Sequence, residues 1–334
     1  MRLGTTVVAA AVIVVVVIAV LALTMYRAGG PGTSPSASPA PSVASPAPSS
    51  PTAPPPTTGA SPSTSSPSTP LIPAFSSVWI IVLENTDYSR VVGGKDMPYL
   101  NGLIDKYGLA ESYFGVARPS QPNYLALFSG STHGVDDNNA HDIDAPTIAD
   151  QIEASGRTWR EYAENVPPGC FTGDSAKGGR DGSGVYRRKH APAISFTSIS
   201  GDPERCAFIE DFSAFRPGDA DFSLIIPNMC HDAHDCPLRQ ADDWLADHVP
   251  PILESEAFRT GGVMFVTFDE DASDDPAGGH VATVVASPLV AAGTRSTVRY
   301  DHYSLLRTIQ DAWSLDCLAD SCQAAPMADL FTSP

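Results

Sequence analysis

The first seventy residues contain no aspartate, glutamate or lysine, and Arg2 and Arg27 are their only charged side chains. Basic residues are scarce everywhere: 20 Lys and Arg stand against 38 Asp and Glu, a net charge of −18 and a pI near 4.6. That balance excludes a nucleic-acid binder, which needs a basic face. No internal repeat is visible, so a solenoid is excluded as well. A G-x-S-x-G elbow is absent too, which removes a serine esterase of the α/β-hydrolase kind.

What is present begins with an uncharged apolar run, Thr5–Tyr26. At ~1.5 Å per residue a helix of that length spans a hydrocarbon core of ~30 Å. The competing reading is a cleaved signal peptide, whose apolar core is usually ~7–15 residues with a small-x-small exit. The exit here, LTMYRAGG, fits such a site poorly, which favours an anchor over residues 1–28. Residues 29–70 are almost entirely Pro, Ser, Thr, Ala and Gly, with nothing to bury, and read as a disordered spacer. In a polyproline-like state such a spacer reaches roughly 130 Å from a membrane. Residues 71–334 hold every acidic residue and all six cysteines. An even number of cysteines suits an oxidising exterior, so the folded part is expected on the extracellular face of the cell membrane, or secreted if the N-terminal segment is cleaved. Six cysteines allow fifteen pairings. Their close spacings suggest Cys230–Cys236 and Cys317–Cys322, leaving Cys170–Cys206 to staple a long Gly-rich insertion.

Short apolar runs at Val78–Leu83, Phe222–Ile226, Val263–Phe268 and His280–Ala286 predict buried strands. Helical periodicity appears over Met97–Tyr107, Pro122–Ser129, Thr147–Ser155 (with a possible threonine cap), Leu238–Leu253 and Tyr303–Leu315. Strands alternating with helices predict an α/β fold, with a mostly parallel central sheet covered on both faces as a three-layer α/β/α sandwich.

In such a sheet, sites form at the carboxyl ends of the strands. Glu84 and Asn85 follow the first run. Asn228, His231, Asp232, His234 and Asp235 follow the run at 222–226, and Asp269, Glu270 and Asp271 follow that at 263–268. Three strand ends releasing carboxylates, amides and imidazoles into one crevice point to a metal or phosphoryl site rather than a solvated rim. Ser120 opens a helix, where backbone N–H groups and the dipole favour an alkoxide and its phosphate ester; a plain capping role is the alternative. His133, His141, His190 and His248 read as structural. The run Arg187-Arg188-Lys189-His190 reads as a solvated loop, with collection of an anionic headgroup as its alternative.

Glu84-Asn85, MPYLN (97–101), RPSQPNYLALFSGSTHGV (118–135), WREYAE (159–164), PNMCHDAHDC (227–236), ADDWL (241–245), FVTFDED (265–271) and YDHYSLLRTIQD (300–311) together closely resemble the bacterial phosphoesterase family. That family includes phospholipases C and secreted acid phosphatases, and is related to the alkaline phosphatase superfamily. The resemblance implies an alkaline-phosphatase-like fold and a phosphoserine on Ser120. It implies a divalent metal (Mg, Ca, Mn, Zn or Fe) held by Glu84, Asn85, Asp269, Glu270, Asp232 and His280. His231 and His234 are then expected as catalytic groups at the leaving oxygen, with Asn85 helping to position the phosphate and Asn123 and His302 binding substrate. The short exported form is most similar to the acid phosphatases, including those acting on phosphoinositides. The expected function is therefore an exported phosphomonoesterase, monomeric, acting on a small phosphate ester or a phospholipid headgroup. A phospholipase C-type phosphodiesterase is the alternative, and a non-catalytic cell-envelope protein holding Ca²⁺ the second.

Overall fold

The computed structural model describes residues 72–178 and 184–331, so the predicted anchor and the spacer at 29–70 lie outside the described residues. Among the described residues no helix is long and apolar enough to cross a membrane.

The strands are β1 (Val78–Leu83), β2 (Gly108–Phe114), β3 (Trp159–Ala163), β4 (Ser175–Gly178), β5 (Gly184–Arg187), β6 (Ile209–Asp211), β7 (Phe222–Ile226), β8 (Val263–Phe268), β9 (His280–Ala286), β10 (Thr294–Ser296) and β11 (Tyr300–Asp301). Nine of them form one sheet in the order β10-β2-β9-β8-β1-β7-β3-β6, with β11 also on β2; β4 and β5 form a separate hairpin. β1 pairs in parallel with both β7 and β8, and β3 in parallel with β6 and β7. β9 is antiparallel to both its neighbours, β2 and β8, so the sheet is mixed but mostly parallel.

Every residue of β1, β7 and β8 is buried, which explains why these strands run apolar without alternation: both faces are covered. Two helix pairs supply the covering layers. Pro98–Lys106 packs on Leu238–Glu254, and Ser120–Ser129 packs on His302–Ala312. The first pair is locked by the buried Asp242 carboxylate, which accepts the N–H groups of Tyr99 and Leu100 at 2.9 Å each. The result is the three-layer α/β/α sandwich that the alternation predicts.

Four predicted strands have the limits expected of them, whereas β2 (GLAESYF) and β3 (WREYA) carry polar residues that mask their pattern. The helix predicted from Pro122 starts two residues earlier, at Ser120, and all ten of its residues are buried. The threonine cap is real: Thr147 accepts from the Asp150 N–H while the Asp150 carboxylate accepts from the Thr147 N–H at 2.7 Å. All six cysteines are paired, as Cys170–Cys206, Cys230–Cys236 and Cys317–Cys322.

Candidate active site

Because β7, β1 and β8 are neighbours in parallel, the residues leaving their carboxyl ends meet in one place. Glu84 leaves β1, Asp232 lies in the turn after β7, and Asp269 and Glu270 leave β8; all four carboxylates are buried. Asn85 takes a left-handed backbone, with φ +40°, a conformation asparagine tolerates better than most side chains. That bend lets its N–H donate to Asp269 Oδ1 at 3.1 Å.

The nucleophile candidate arrives from the helix layer. Ser120 is the first helical residue, and its hydroxyl donates to Glu84 Oε2 at 3.0 Å. One turn on, the Tyr124 hydroxyl donates to Glu84 Oε1 at 2.5 Å. The loop leading into Ser120 is tied by Asn123, whose Oδ1 accepts the N–H groups of Val116 (2.9 Å) and Ala117 (3.1 Å) while its Nδ2 donates to the Ala117 carbonyl at 2.8 Å.

The opposite side of the site corrects the reading of the basic run as a solvated loop. Arg188 and His190 are buried, and Lys189 Nζ donates to Ser120 Oγ at 3.4 Å. Arg188 anchors the segment by donating to the His141 carbonyl (3.0 Å) and facing Asp142 (3.3 Å). His190, expected as structural, lies within the carboxylate cluster. Its Nε2 stands 3.2 Å from Glu84 Oε1, its Nδ1 3.5 Å from Asp232 Oδ2, and its ring stacks on Tyr124 at 5.1 Å. Tyr124 was findable, four residues beyond Ser120 on one helix face. The basic run itself marked Lys189 and His190 as an anion-collecting alternative, but only a tertiary contact places them at Ser120 and Glu84.

The electrostatics are those of crowded acid in a dry place. Burial, then the Asp269 and Asp232 charges, push the Glu84 carboxyl well above its usual range, with Lys189 pulling the other way. Burial also raises Asp232 well above its range and Asp269 to about 6. Glu270 rises to about 8 through burial and the Asp269 charge, opposed by Arg118, whose guanidinium lies 3.4 Å from Glu270 Oε1. Burial and the Lys189 charge hold His190 well below the usual imidazole range, so it is neutral.

Other predicted residues lie elsewhere or are otherwise engaged. His280 is no part of the carboxylate cluster: its Nε2 bonds the Glu111 carbonyl at 2.8 Å and its ring stacks between Tyr88 and Phe114. His302 lies beneath the floor, with Nε2 on the Asp269 carbonyl (2.7 Å) and Nδ1 on the Tyr113 hydroxyl (3.1 Å), so it braces the Asp269 backbone. Asn123 spends both ends of its amide on the loop before Ser120. His231 pairs with Glu164 at 2.9 Å and faces Trp244. His234 is exposed, bonded to Asp235 at 2.8 Å, with its ring 6.2 Å from that of His190. The histidines at 133, 141 and 248 bond Ser129, Asp137 and the Trp244 carbonyl, consistent with structural roles.

Among the described residues, no three His, Cys, Asp or Glu side chains are drawn together as a ready-made metal-binding group. The donor chemistry nevertheless fits a cation. Asn85 Oδ1, Asp232 Oδ2, Asp269 Oδ2 and Glu270 Oε2 are buried without hydrogen-bond partners. Buried unpartnered oxygens carry a cost of ~1–3 kcal/mol each, more when charged, that a bound cation removes. All four are hard oxygen donors, the kind that magnesium, calcium and manganese take.

The phosphoesterase family profile matches residues 93–316. The chain is 30% identical over 252 residues to a probable acid phosphatase of Kluyveromyces lactis, covering 72% of this chain and 59% of that protein. It is likewise 30% identical over 267 residues to a phosphatidylinositol-3-phosphatase of Mycobacterium tuberculosis, covering 78% of this chain and 84% of that one. It thus spans less than two thirds of the yeast relative but most of the mycobacterial one. Among solved structures, the lipoteichoic acid synthase LtaP of Listeria monocytogenes superposes with a TM-score of 0.53 at 11% identity, over 79% of this chain and 78% of that one, which shows a shared fold.

Proposed function

The chain belongs to the phosphoesterase family, and from that membership we propose that it is an exported, metal-dependent phosphomonoesterase working through a phosphoserine on Ser120. The observation that carries this reading is the Ser120 hydroxyl, buried at a helix N-terminus between Glu84 Oε2 and Lys189 Nζ. Glu84 supplies the acceptor for the hydroxyl proton. Lys189 and the helix dipole favour negative charge on Oγ. Attack of Oγ on phosphorus forms the serine–phosphate bond as the bond to the leaving oxygen breaks. Exposed His234, at the mouth beside His190, gives that oxygen its proton. Water then attacks phosphorus, losing a proton to His234, the serine–phosphate bond breaks, Ser120 takes its proton back from Glu84 and inorganic phosphate leaves.

Asp269, Glu270, Asp232, Glu84 and Asn85 would hold a divalent ion. When bound, such an ion supplies charge neutralisation for the phosphoryl oxygens and the carboxylates alike. Neutral His190 adds no charge of its own, leaving Lys189 as the cation at the nucleophile. The names of the two relatives, an acid phosphatase and a phosphoinositide phosphatase, support a monoester over a diester. Three disulfides support export, with residues 29–70 as the spacer.

The test is p-nitrophenyl phosphate hydrolysis by the full chain, with and without EDTA, beside Ser120→Ala. We expect turnover that EDTA abolishes and that falls at least roughly a thousandfold in the variant. Turnover surviving in Ser120→Ala would refute the nucleophile. Silence on the monoester with turnover of phosphatidylcholine would replace this reading with a diesterase.

A further inference from the structure

Next to the nucleophile lies a cavity of about 320 Å³ whose wall includes Asn138, Asn139, Arg187, Arg188 and Lys189, with Asp174 its one acidic residue among the described residues. It shares Lys189 with the reaction site, and Asn138 Oδ1 accepts the N–H of Gln121 at 3.1 Å, tying the cavity to the turn that carries Ser120. The cavity therefore adjoins the place where a phosphoryl group would sit at Ser120.

The lining chemistry is that of an anion receptor. Arg187 is exposed and has no ion-pair partner among the described residues, although acid outnumbers base in this chain nearly two to one. Arg188 is 6% exposed, and its Nε, a buried cationic donor, has no hydrogen-bond partner. Asn138 keeps its amide NH₂ available, because the bond to Gln121 uses only its carbonyl oxygen. A 470 Å³ cavity elsewhere on the molecule sets three carboxylates, Glu164, Asp211 and Asp247, against a single arginine, Arg216.

From this cavity we infer that the preferred substrate is a phosphomonoester bearing a second anionic group, which Arg187, Arg188 and Asn138 receive while the scissile phosphate sits at Ser120. The inference rests on the phosphomonoesterase reading and refines it to a substrate class. Guanidinium groups suit a second phosphate or a phosphodiester, which they meet with paired donors. Two sources share that chemistry: a soluble bisphosphate, and a lipid headgroup carrying a phosphomonoester beside its diester.

The experiment compares kcat/KM of the full chain, and of Arg187→Ala, on three substrates: an inositol monophosphate, the matching soluble inositol bisphosphate, and phosphatidylinositol 3-phosphate in phosphatidylcholine vesicles. Arg187 is exposed at the end of β5, so folding is not at risk. We expect wild type to favour a substrate with the second anion by roughly tenfold or more, and Arg187→Ala to lose most of that ratio. Preference for the vesicle alone assigns the cavity to a lipid headgroup; preference for both assigns it to the anion itself. Equal kcat/KM on monophosphate and bisphosphate with no vesicle preference, or a preference unchanged in Arg187→Ala, overturns the inference while the phosphatase reading stands. Absence of turnover on the monophosphate and on both doubly anionic substrates overturns the phosphatase reading and the inference with it.

Discussion

The acidic floor of the site and its basic wall are built differently. The floor comes from the ends of β1, β7 and β8, whose parallel pairing fixes the spacing of Glu84, Asp232 and Asp269 through backbone hydrogen bonds. The wall, Arg187–His190, runs on from the last residue of the β4–β5 hairpin, which belongs to no part of the main sheet. Side chains hold it: Arg188 on the His141 carbonyl and, at its foot, the buried Glu161 of β3, whose Oε2 accepts the Ala193 N–H at 2.9 Å. Floor positions are thus a property of the sheet, whereas wall positions depend on a few long-range contacts. The charges divide the same way: four buried carboxylates face few cations, chiefly Lys189 and Arg118.

That contrast is sharpened most by Asp269→Asn, for which we expect kcat/KM to fall about a thousandfold, the scale of losing a central electrostatic group. In EDTA the same variant should melt higher, because one of four crowded buried carboxylates becomes neutral. A rise of 2–4 °C corresponds to roughly 1 kcal/mol for a domain of this size. A lower melting temperature in EDTA would mean that the floor is not strained by its own charge.

Next in size, Lys189→Ala should lower kcat/KM about a hundredfold, with part recovered in Lys189→Arg. A larger loss than in Asp269→Asn would break the comparison and make the wall the principal electrostatic partner of the phosphoryl group.

The smallest effect concerns the foot of the wall. Burial pushes Glu161 up to about 8. Its folded form therefore holds a proton that the unfolded chain releases near pH 4.5. The associated stability is fully present below that value and is lost as pH rises through 8, at about 1.4 kcal/mol per unit. Glu161→Gln should flatten the dependence of denaturation midpoint on pH across that window and be the more stable protein at its upper end. Equal slopes in the two proteins would show that Glu161 is ionised when folded.

Much of the floor was readable because its signal is local. An apolar run such as VWIIVL followed at once by Glu84-Asn85 marks a buried strand and what lies at its end, and VMFVTF with Asp269-Glu270 repeats the pattern. The wall had no such mark. Lys189 and His190 sit in a basic run that resembles any solvated loop, and their place beside Ser120 depends on a hairpin whose partners are distant in the chain. His280 shows the converse: it opens a correctly predicted strand, and because β9 runs antiparallel to β8 it lies at the edge where β8 ends, yet its ring stacks between Tyr88 and Phe114 instead of joining the carboxylates.

Residue order by itself therefore determined four of the buried strands, the alternation that makes an α/β/α sandwich, the two close cysteine pairs Cys230–Cys236 and Cys317–Cys322, and the carboxylates at the strand ends. Each of these follows from burial, periodicity or short-range spacing, which are written along the chain. Only the tertiary structure decided which histidine faces Glu84 and Asp232, that Lys189 reaches Ser120, and that His302 braces the Asp269 backbone. Such contacts join segments tens to hundreds of residues apart, and a side chain's neighbours across that distance are set by how layers pack.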